Sequence, residues 1–249
     1  MNIIHATWER ENIGVNAYEL ALTEKDTPQS LALEEDRLRR DGAEYVVVKT
    51  PVACPGLLFE LPAMGYAFVE MVFHVTIRRD EYRIPADIAR FDRGFEVVER
   101  NDEEHRQRIY ATIRSGIFTT DRVSLDPRFS LALSGNRYAN WLHGLLQRGA
   151  QLYEVLQRGR PIGFFVVTRI IEHTVNPMLM GMYDPDGDRG LGTLLHKKTL
   201  DTCFEHPCDR LQSTIVSNNF KVLRVYLNAG ATIYDTCYTY VKHFGEARA

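Results

Sequence analysis

Between Asp184 and Asp201 the sequence reads DPDGDRGLGTLLHKKTLD, three glycines and an arginine ahead of a run that can be a helix. The N–H groups that open a helix are unpaired and sit at its positive end, so a strand, a glycine turn and a helix in succession make a site for an anion. Gly187, Gly190 and Gly192 let the main chain come close to a phosphate. Two other phosphate turns are excluded by residue type. A P-loop ends in Gly-Lys-Ser/Thr, and a dinucleotide turn is followed by a βαβ unit with an acidic ribose partner; neither is present. The expected ligand is a pyrophosphate held mainly by backbone over Asp188, Arg189, Gly190, Leu191, Gly192 and Thr193. A tight turn before a structural helix has the same look, so the surrounding elements must decide.

Ile13–Leu22 alternates in part and predicts a strand. SLALEEDRLRRDGA predicts a helix stopped by Gly42, EYVVVKT a β-branched strand, CPGLLFELPAMGY a short helical or turn-like segment, and AFVEMVFHVTI a strand with one buried face. The first third is thus a small βαβαβ unit. A polar, proline-bearing connection leads into the helix DEEHRQRIYATIRS and sets a domain boundary near Asp102, giving domains over residues 1–101 and 102–249. After an irregular stretch, RYANWLHGLLQRG places Tyr138, Trp141, Leu142 and Leu145 on one helical face. The period then changes to strands, QLYEVLQRG, IGFFVVTRI and MLMGMY, with a hairpin turn at Gly159–Pro161. A helix from Leu191 to about Glu205 follows, with Leu191, Leu194 and Leu195 on one side and Leu200 and Phe204 off that stripe. LQSTIV is a strand, NNFKVLRVYLNAGA a helix with Val222, Val225, Tyr226 and Ala229 on one face, and TIYDTCYTYVKHF a last strand.

The two ends of the chain echo each other. Aligned on Gly65 and Gly230, both read strand, loop, helix, glycine, strand, with Leu61 where Tyr226 stands and Cys54 where Asn219 stands. The first copy keeps the shape and lacks the polar groups.

Composition narrows the field. The 249 residues are 45% hydrophobic and 25% charged, ordinary values for a folded chain of one or two domains. A net charge of −3 supplies no overall positive field for nucleic acid or an anionic membrane. The N-terminus carries charges within its first ten residues, and no apolar run reaches membrane-spanning length, so a cytoplasmic protein is expected. Cys54, Cys203, Cys208 and Cys237 lack CxxC spacing and clustered histidines, which predicts reduced thiols and no metal.

From about Ile109 onward, the order hairpin, strand, DRGLGT turn, helix, strand, NNFKVLRVY helix, Gly-Ala and last strand resembles the GNAT family of acyl-CoA N-acyltransferases. The resemblance implies an α/β fold, a mixed central sheet flanked by helices, with acyl-CoA, acetyl-CoA by default, as cosubstrate. The family's turn, commonly Arg/Gln-x-x-Gly-x-Gly/Ala, cradles the coenzyme A pyrophosphate; here Gly187 stands at the Arg/Gln position while Arg189 to Thr193 fit. Asn219, Val222, Val225 and Tyr226 match a second pattern, which implies Asn219 near the pantetheine arm and Tyr226 beside the sulfur. A phenol is suited to protonating a departing thiolate. Without that context, a tyrosine on an apolar helix face is core.

WERENIGVNAYEL, LPAMGYAFVEMVFHVTI, SGIF with RYANWL, and NNFKVLRVYLNAGATIYDTCYTYVK resemble, more closely, the dTDP-fucosamine acetyltransferase family across nearly the full chain. That implies transfer to the amine of a dTDP-linked 3- or 4-amino deoxyhexose, a smaller degenerate GNAT-like domain before the catalytic one, a bacterial polysaccharide or natural-product setting, and a homodimer. It also implies an oxyanion contact from a backbone N–H around Met182. Phe118, Arg122, Asp126, Arg128 and Phe129 offer a cation for diphosphate and rings for a base or sugar, and equally suit an ordinary ordered loop. Glu70, His74, Glu172, His173 and Asp184 are candidates for the base that frees the amine, each of a type common among plain strand or loop charges. Two alternatives stay open: a GNAT enzyme for another amine, such as an aminoglycoside or a protein N-terminus, and a non-catalytic acyl-CoA or nucleotide-sugar binding protein.

Overall fold

The computed structural model describes residues 1–89, 92–100, 102–168, 171–184, 186 and 190–245. β1 (Asn2–His5), α1 (Trp8–Ile13), β2 (Ala17–Ala21), α2 (Pro28–Arg40), β3 (Tyr45–Pro51), α3 (Pro55–Ala63) and β4 (Ala67–Arg78) form the first third. α4 (Ala86–Ala89) and β5 (Phe95–Glu99) lead to α5 (Glu103–Arg114), α6 (Arg122–Leu125) and α7 (Leu131–Gln147). The rest is β6 (Gln151–Gln157), β7 (Arg160–Val167), β8 (Thr174–Val175), β9 (Pro177–Met182), α8 (Leu191–Glu205), β10 (Arg210–Val216), α9 (Phe220–Asn228) and β11 (Thr232–His243).

Local chemistry sets the helix starts. Thr27 and Ser30 exchange side-chain and backbone hydrogen bonds at the head of α2, with Pro28 in its first turn. Asp102, Asp121 and Ser130 cap α5, α6 and α7, each side chain accepting an N–H of the first turn. α7 buries Ala139, Leu142 and Leu145 against Ile109 and Ile113 of α5 and against Leu152, Phe164 and Val166 of the sheet. The departures from expectation have physical causes. α1 was not expected, because WERENI lacks an apolar run; its buried residues are Glu9 and Ile13, and the following strand starts only at Ala17. α8 shows no clean stripe because it is buried on most sides, its Leu195, Leu200 and Phe204 sharing one core with Val75 and Ile77 of β4 and Val155 and Phe165 of β6 and β7.

Two sheets result, a seven-stranded one in the order β1-β2-β3-β11-β4-β10-β8 and a four-stranded one in the order β5-β6-β7-β9. The larger takes strands from both sides of residue 101. β11 lies between β3 and β4, and β4 lies between β11 and β10. The sequence echo governs this exchange down to register. Shifting each residue by the spacing from Gly65 to Gly230 turns the pairs Tyr45–His243 and Pro51–Cys237 of β3·β11 into Arg210–Arg78 and Val216–Val72 of β10·β4. Within β11·β4, the pair Thr232–Thr76 likewise becomes Ala67–Val241, and Cys237–Val72 maps onto itself. An approximate two-fold axis therefore passes through the Val72–Cys237 pair.

The first copy is closed where the second is open. Leu31 and Leu61, which this spacing sets against His196 and Tyr226, are fully buried in a core with Tyr66 and Tyr240. The head of α2 is taken by Thr27, and Asp26 beside it pairs with the Met1 ammonium at 2.9 Å.

Candidate active site

The seam between the two sheets opens because one extended run changes partner. Thr174 and Val175 of β8 pair in parallel with Arg210 and Leu211 of β10; after Asn176 the chain becomes β9 and pairs instead with β7. β9 is consequently an edge of the smaller sheet, and it faces β10 across the gap. Ser213 of β10 spans the seam, its hydroxyl donating to the Pro177 carbonyl at 3.5 Å. The Tyr183 N–H donates to the Ile162 carbonyl at 3.0 Å. Strand alternation then turns the amides of Met182 and Met180 the other way, away from β7. Met180 lines the cavity, whereas the Met182 sulfur lies against the start of α8, 3.3 Å from where a Cβ on Gly192 would be.

The cavity at this seam measures about 880 Å³. Tyr226 of α9 stands in its wall at 2% exposure. Burial pushes the phenol pKa up, and a hydrogen bond with Ser213 draws it partly back. His196 of α8 meets the Tyr226 ring edge-on, centroids 6.2 Å apart, and its Nδ1 has no hydrogen-bond partner. Its surrounding protein pushes its pKa down to about 4, so the ring is neutral at pH 7. Sequence reasoning passed over His196 and Ser213. The available signal was the series His196, Thr199 and Cys203, polar or soft residues spaced to share one side of the helix.

Another part of the wall comes from β4, on which Glu70, Val72 and His74 alternate onto one face and all line the cavity. The exchange of strands puts them there, since β4 belongs to the first half and pairs with β10 of the second. Glu70 is 5% exposed, and its Oε2 has no hydrogen-bond partner. Burial pushes its pKa up to about 7, with the charge of Arg122 the largest opposing influence. His74 hydrogen-bonds the Thr214 hydroxyl at 3.3 Å. The other candidate bases stand elsewhere: Glu172 and His173 occupy a turn with positive φ, and Asp184 is exposed beyond β9.

Phe118, Tyr138, Trp141 and Trp8 give the cavity an aromatic side, with Phe118 and Tyr138 centroids 4.5 Å apart. Arg122 also lines it, and its charge is engaged. Arg122 donates to Glu9 at 3.0 Å and Glu19 at 2.6 Å, Lys49 pairs with Glu19 at 2.9 Å, and Arg137 ties Glu9 to Asp121. Asp126 is not among the lining residues; it accepts from the His243 Nε2 at 2.7 Å and from the Arg128 N–H at 3.0 Å. Asp126, expected among the substrate-binding residues, is thus placed beside His243 of the last strand and outside the lining of this cavity.

A second cavity of about 790 Å³ lies between the starts of α8 and α9, lined by Gly190, Leu191 and Thr193 on one side and Phe220, Lys221 and Arg224 on the other. Gly190 caps α8 at φ 88, a conformation that favours glycine, with no atom within 4 Å of where a Cβ would be. Asn219 opens α9 without spending its side chain on capping, and it lines the larger cavity. Asp188 and Arg189 lie outside the described residues. Among those described, no group of His, Cys, Asp and Glu could hold a metal ion, and no helix is long and apolar enough to cross a membrane.

No protein-family profile matches the chain, and no curated protein matches it. Solved structures do. A GCN5-related N-acetyltransferase from Kribbella flavida is similar at TM-score 0.57 and 14% identity, over 92% of this chain and 82% of the other. A GCN5-related N-acetyltransferase from Sphaerobacter thermophilus is similar at TM-score 0.61 and 11% identity, over 97% and 75%. A tandem GNAT protein from the clavulanic acid biosynthesis pathway is similar at TM-score 0.54 and 14% identity, over 88% and 70%. These likenesses show that the chain, with its mixed sheet flanked by helices, has the fold of the GCN5-related N-acetyltransferases.

Proposed function

We propose that this chain is an acyl-CoA-dependent N-acyltransferase that transfers an acyl group, acetyl by default, to the amine of a dTDP-linked 3- or 4-amino deoxyhexose. One observation carries the reading furthest: the amide edge of β9, Ser213 and the Tyr226 phenol meet at one parted seam, with a glycine-capped helix start close by. The coenzyme A pyrophosphate is assigned to the stretch Asp188 to Thr193, whose last residues open α8, and Asn219 serves the pantetheine arm. Lys221 and Arg224, exposed at the second cavity, suit the phosphates of the nucleotide end.

The amine nitrogen attacks the thioester carbon. A C–N bond forms, the carbonyl oxygen becomes an oxyanion facing the amides of Met180 and Met182, the C–S bond breaks, and Tyr226 gives its proton to the sulfur. The same water-poor seam that raises the phenol pKa raises that of the thiol, so donor and acceptor stay matched.

The repeat of strand register within the chain supports residues 1–101 as a decayed copy and 102–249 as the catalytic unit, with β4 lent across. The similarity to a tandem GNAT protein agrees with that layout. For the nucleotide sugar, the aromatic side with Phe118 suits stacking on a ring. Arg122 is committed to Glu9 and Glu19, so the diphosphate cation falls to Arg148 at the cavity edge, which pairs with no carboxylate among the described residues.

The test is thiol release from acetyl-, propionyl- and hydroxyacyl-CoA with dTDP-3-amino and dTDP-4-amino deoxyhexoses, an aminoglycoside and a peptide N-terminus, with product masses. Acylation of one dTDP sugar is expected. Acylation of the aminoglycoside or peptide instead removes the nucleotide sugar from the reading; release with no amine, despite coenzyme A binding, removes the enzyme.

A further inference from the structure

We infer that His196 makes the acyl site selective for a chain that carries a neutral oxygen, hydroxyl or keto, on its third carbon, to which the ring donates a hydrogen bond. The inference rests on the acyltransfer reading and names the class of acyl group that this reading leaves at acetyl by default.

His196 belongs to the cosubstrate side of the seam. It stands on α8 and Tyr226 on α9, the two helices that also enclose the second cavity, to which coenzyme A is assigned. α8 lies close against β7 and β9 on either side of His196: a Cβ on Gly163 would stand 2.8 Å from a Leu195 methyl, and the Thr199 hydroxyl is 3.6 Å from the Met180 sulfur. The imidazole and phenol centroids are 6.2 Å apart, so with the sulfur beside the phenol a short acyl chain reaches the imidazole.

Nδ1 of His196 is buried and has no hydrogen-bond partner. A buried N–H without an acceptor forfeits its hydrogen bond outright, so in the neutral ring the proton belongs on Nε2. The residue keeps part of its surface open, and it lines the cavity, which makes it a donor toward whatever fills that space. Burial holds the ring neutral at pH 7. Met180, Ile215 and Val222 line the same cavity and pack on the core that Leu195 and Tyr226 share. A chain ending in a carboxylate would bring a charge that a neutral imidazole and these side chains leave unpaired. Acetyl has no oxygen beyond the thioester, and butyryl meets the Nε2–H with carbon; both leave the donor without a partner. An oxygen on the third carbon accepts from it. The bonds made and broken in the transfer are the same for every acyl group, so acetyl-CoA remains a substrate with a lower kcat/KM.

The experiment measures binding of coenzyme A, butyryl-CoA, acetoacetyl-CoA and the two enantiomers of 3-hydroxybutyryl-CoA to wild type, His196→Phe and His196→Gln, by calorimetry and without acceptor. For wild type, about tenfold tighter binding of acetoacetyl-CoA or of one hydroxy enantiomer than of butyryl-CoA is expected, and the tighter ligand names the oxygen. His196→Phe should lose that preference with an unchanged coenzyme A Kd, and His196→Gln, whose amide nitrogen is a donor, should retain part of it. The ratio of kcat/KM values with whichever amine of the panel is acylated should follow. Equal affinity of wild type for all four acyl-CoAs, or a preference that His196→Phe keeps, overturns the inference and leaves acyl transfer standing. Should His196→Phe fail to fold, the wild-type ratio and His196→Gln decide. A wild type that acylates no amine overturns the acyltransfer reading; the binding ratio, which needs no turnover, still upholds or overturns the part assigned to His196.

Discussion

Val72 of β4 and Cys237 of β11 pair directly, and the register of the strands on either side repeats about that pair. Each half thereby completes its sheet with a strand of the other. β3 and β4 have β11 between them and do not pair with each other.

Cutting the chain at the boundary near residue 101 therefore separates strands from their partners. A fragment of residues 1–101, lacking β11, leaves an edge of β3 and both edges of β4 unsatisfied, and it is expected to aggregate or remain unfolded. Circular dichroism and sedimentation of the fragment check this; a monomeric, cooperatively unfolding fragment would contradict it.

Gly230 ends the helix that holds Tyr226. It has φ 100, and a Cβ there would stand 2.4 Å from the Glu81 carbonyl oxygen. Gly230→Ala meets both backbone strain and a clash with main chain, so a loss of about 2 to 4 kcal/mol in urea unfolding is expected. A loss below about 0.5 kcal/mol would show that the corner relaxes freely.

Much of this was legible in the sequence for a physical reason: α8, α9 and the strands beside them are specified by local period, and their punctuating glycines fall where the backbone needs positive φ. Leu191–Glu205 as a helix and Tyr226 on the inner face of α9 are instances. The pairing of residues far apart was not legible. Arg122 reads as a free cation until Glu9 and Glu19 arrive from the first half, and Asp126 reads as a loop acid until His243 reaches it from the last strand. Glu70 was only one acid among several candidates, because its burial follows from the exchange of β4.

The pH dependence of stability separates Glu70 from its neighbours. Its folded pKa of about 7 exceeds the 4.5 of the unfolded chain. Between those values the folded state binds more protons, so this group lowers stability as pH rises from 4.5 through 7. Glu70→Gln should leave stability nearly unchanged at pH 4.5 and raise it at pH 8, by up to about 3 kcal/mol. Thermal unfolding at the two pH values checks the sign. Equal effects at both would place the Glu70 pKa in the ordinary range.

Arg224 and Lys221 border the cavity assigned to the nucleotide end of the cosubstrate. Arg224→Glu should raise the coenzyme A Kd by about tenfold or more, and pantetheine binding should hardly change. Calorimetry with both ligands reads the difference; an equal effect on both would move the phosphates elsewhere.

Tyr226→Phe keeps the ring that packs in the seam and removes the one proton proposed to reach the sulfur. Acceptor-dependent thiol release from acetyl-CoA, measured for wild type and this variant beside the coenzyme A Kd of each, is the measurement to make. A fall in turnover of about 100-fold or more with an unchanged Kd is predicted. Unchanged turnover would take Tyr226 out of the reaction, and no release by wild type with any amine would contradict acyl transfer itself.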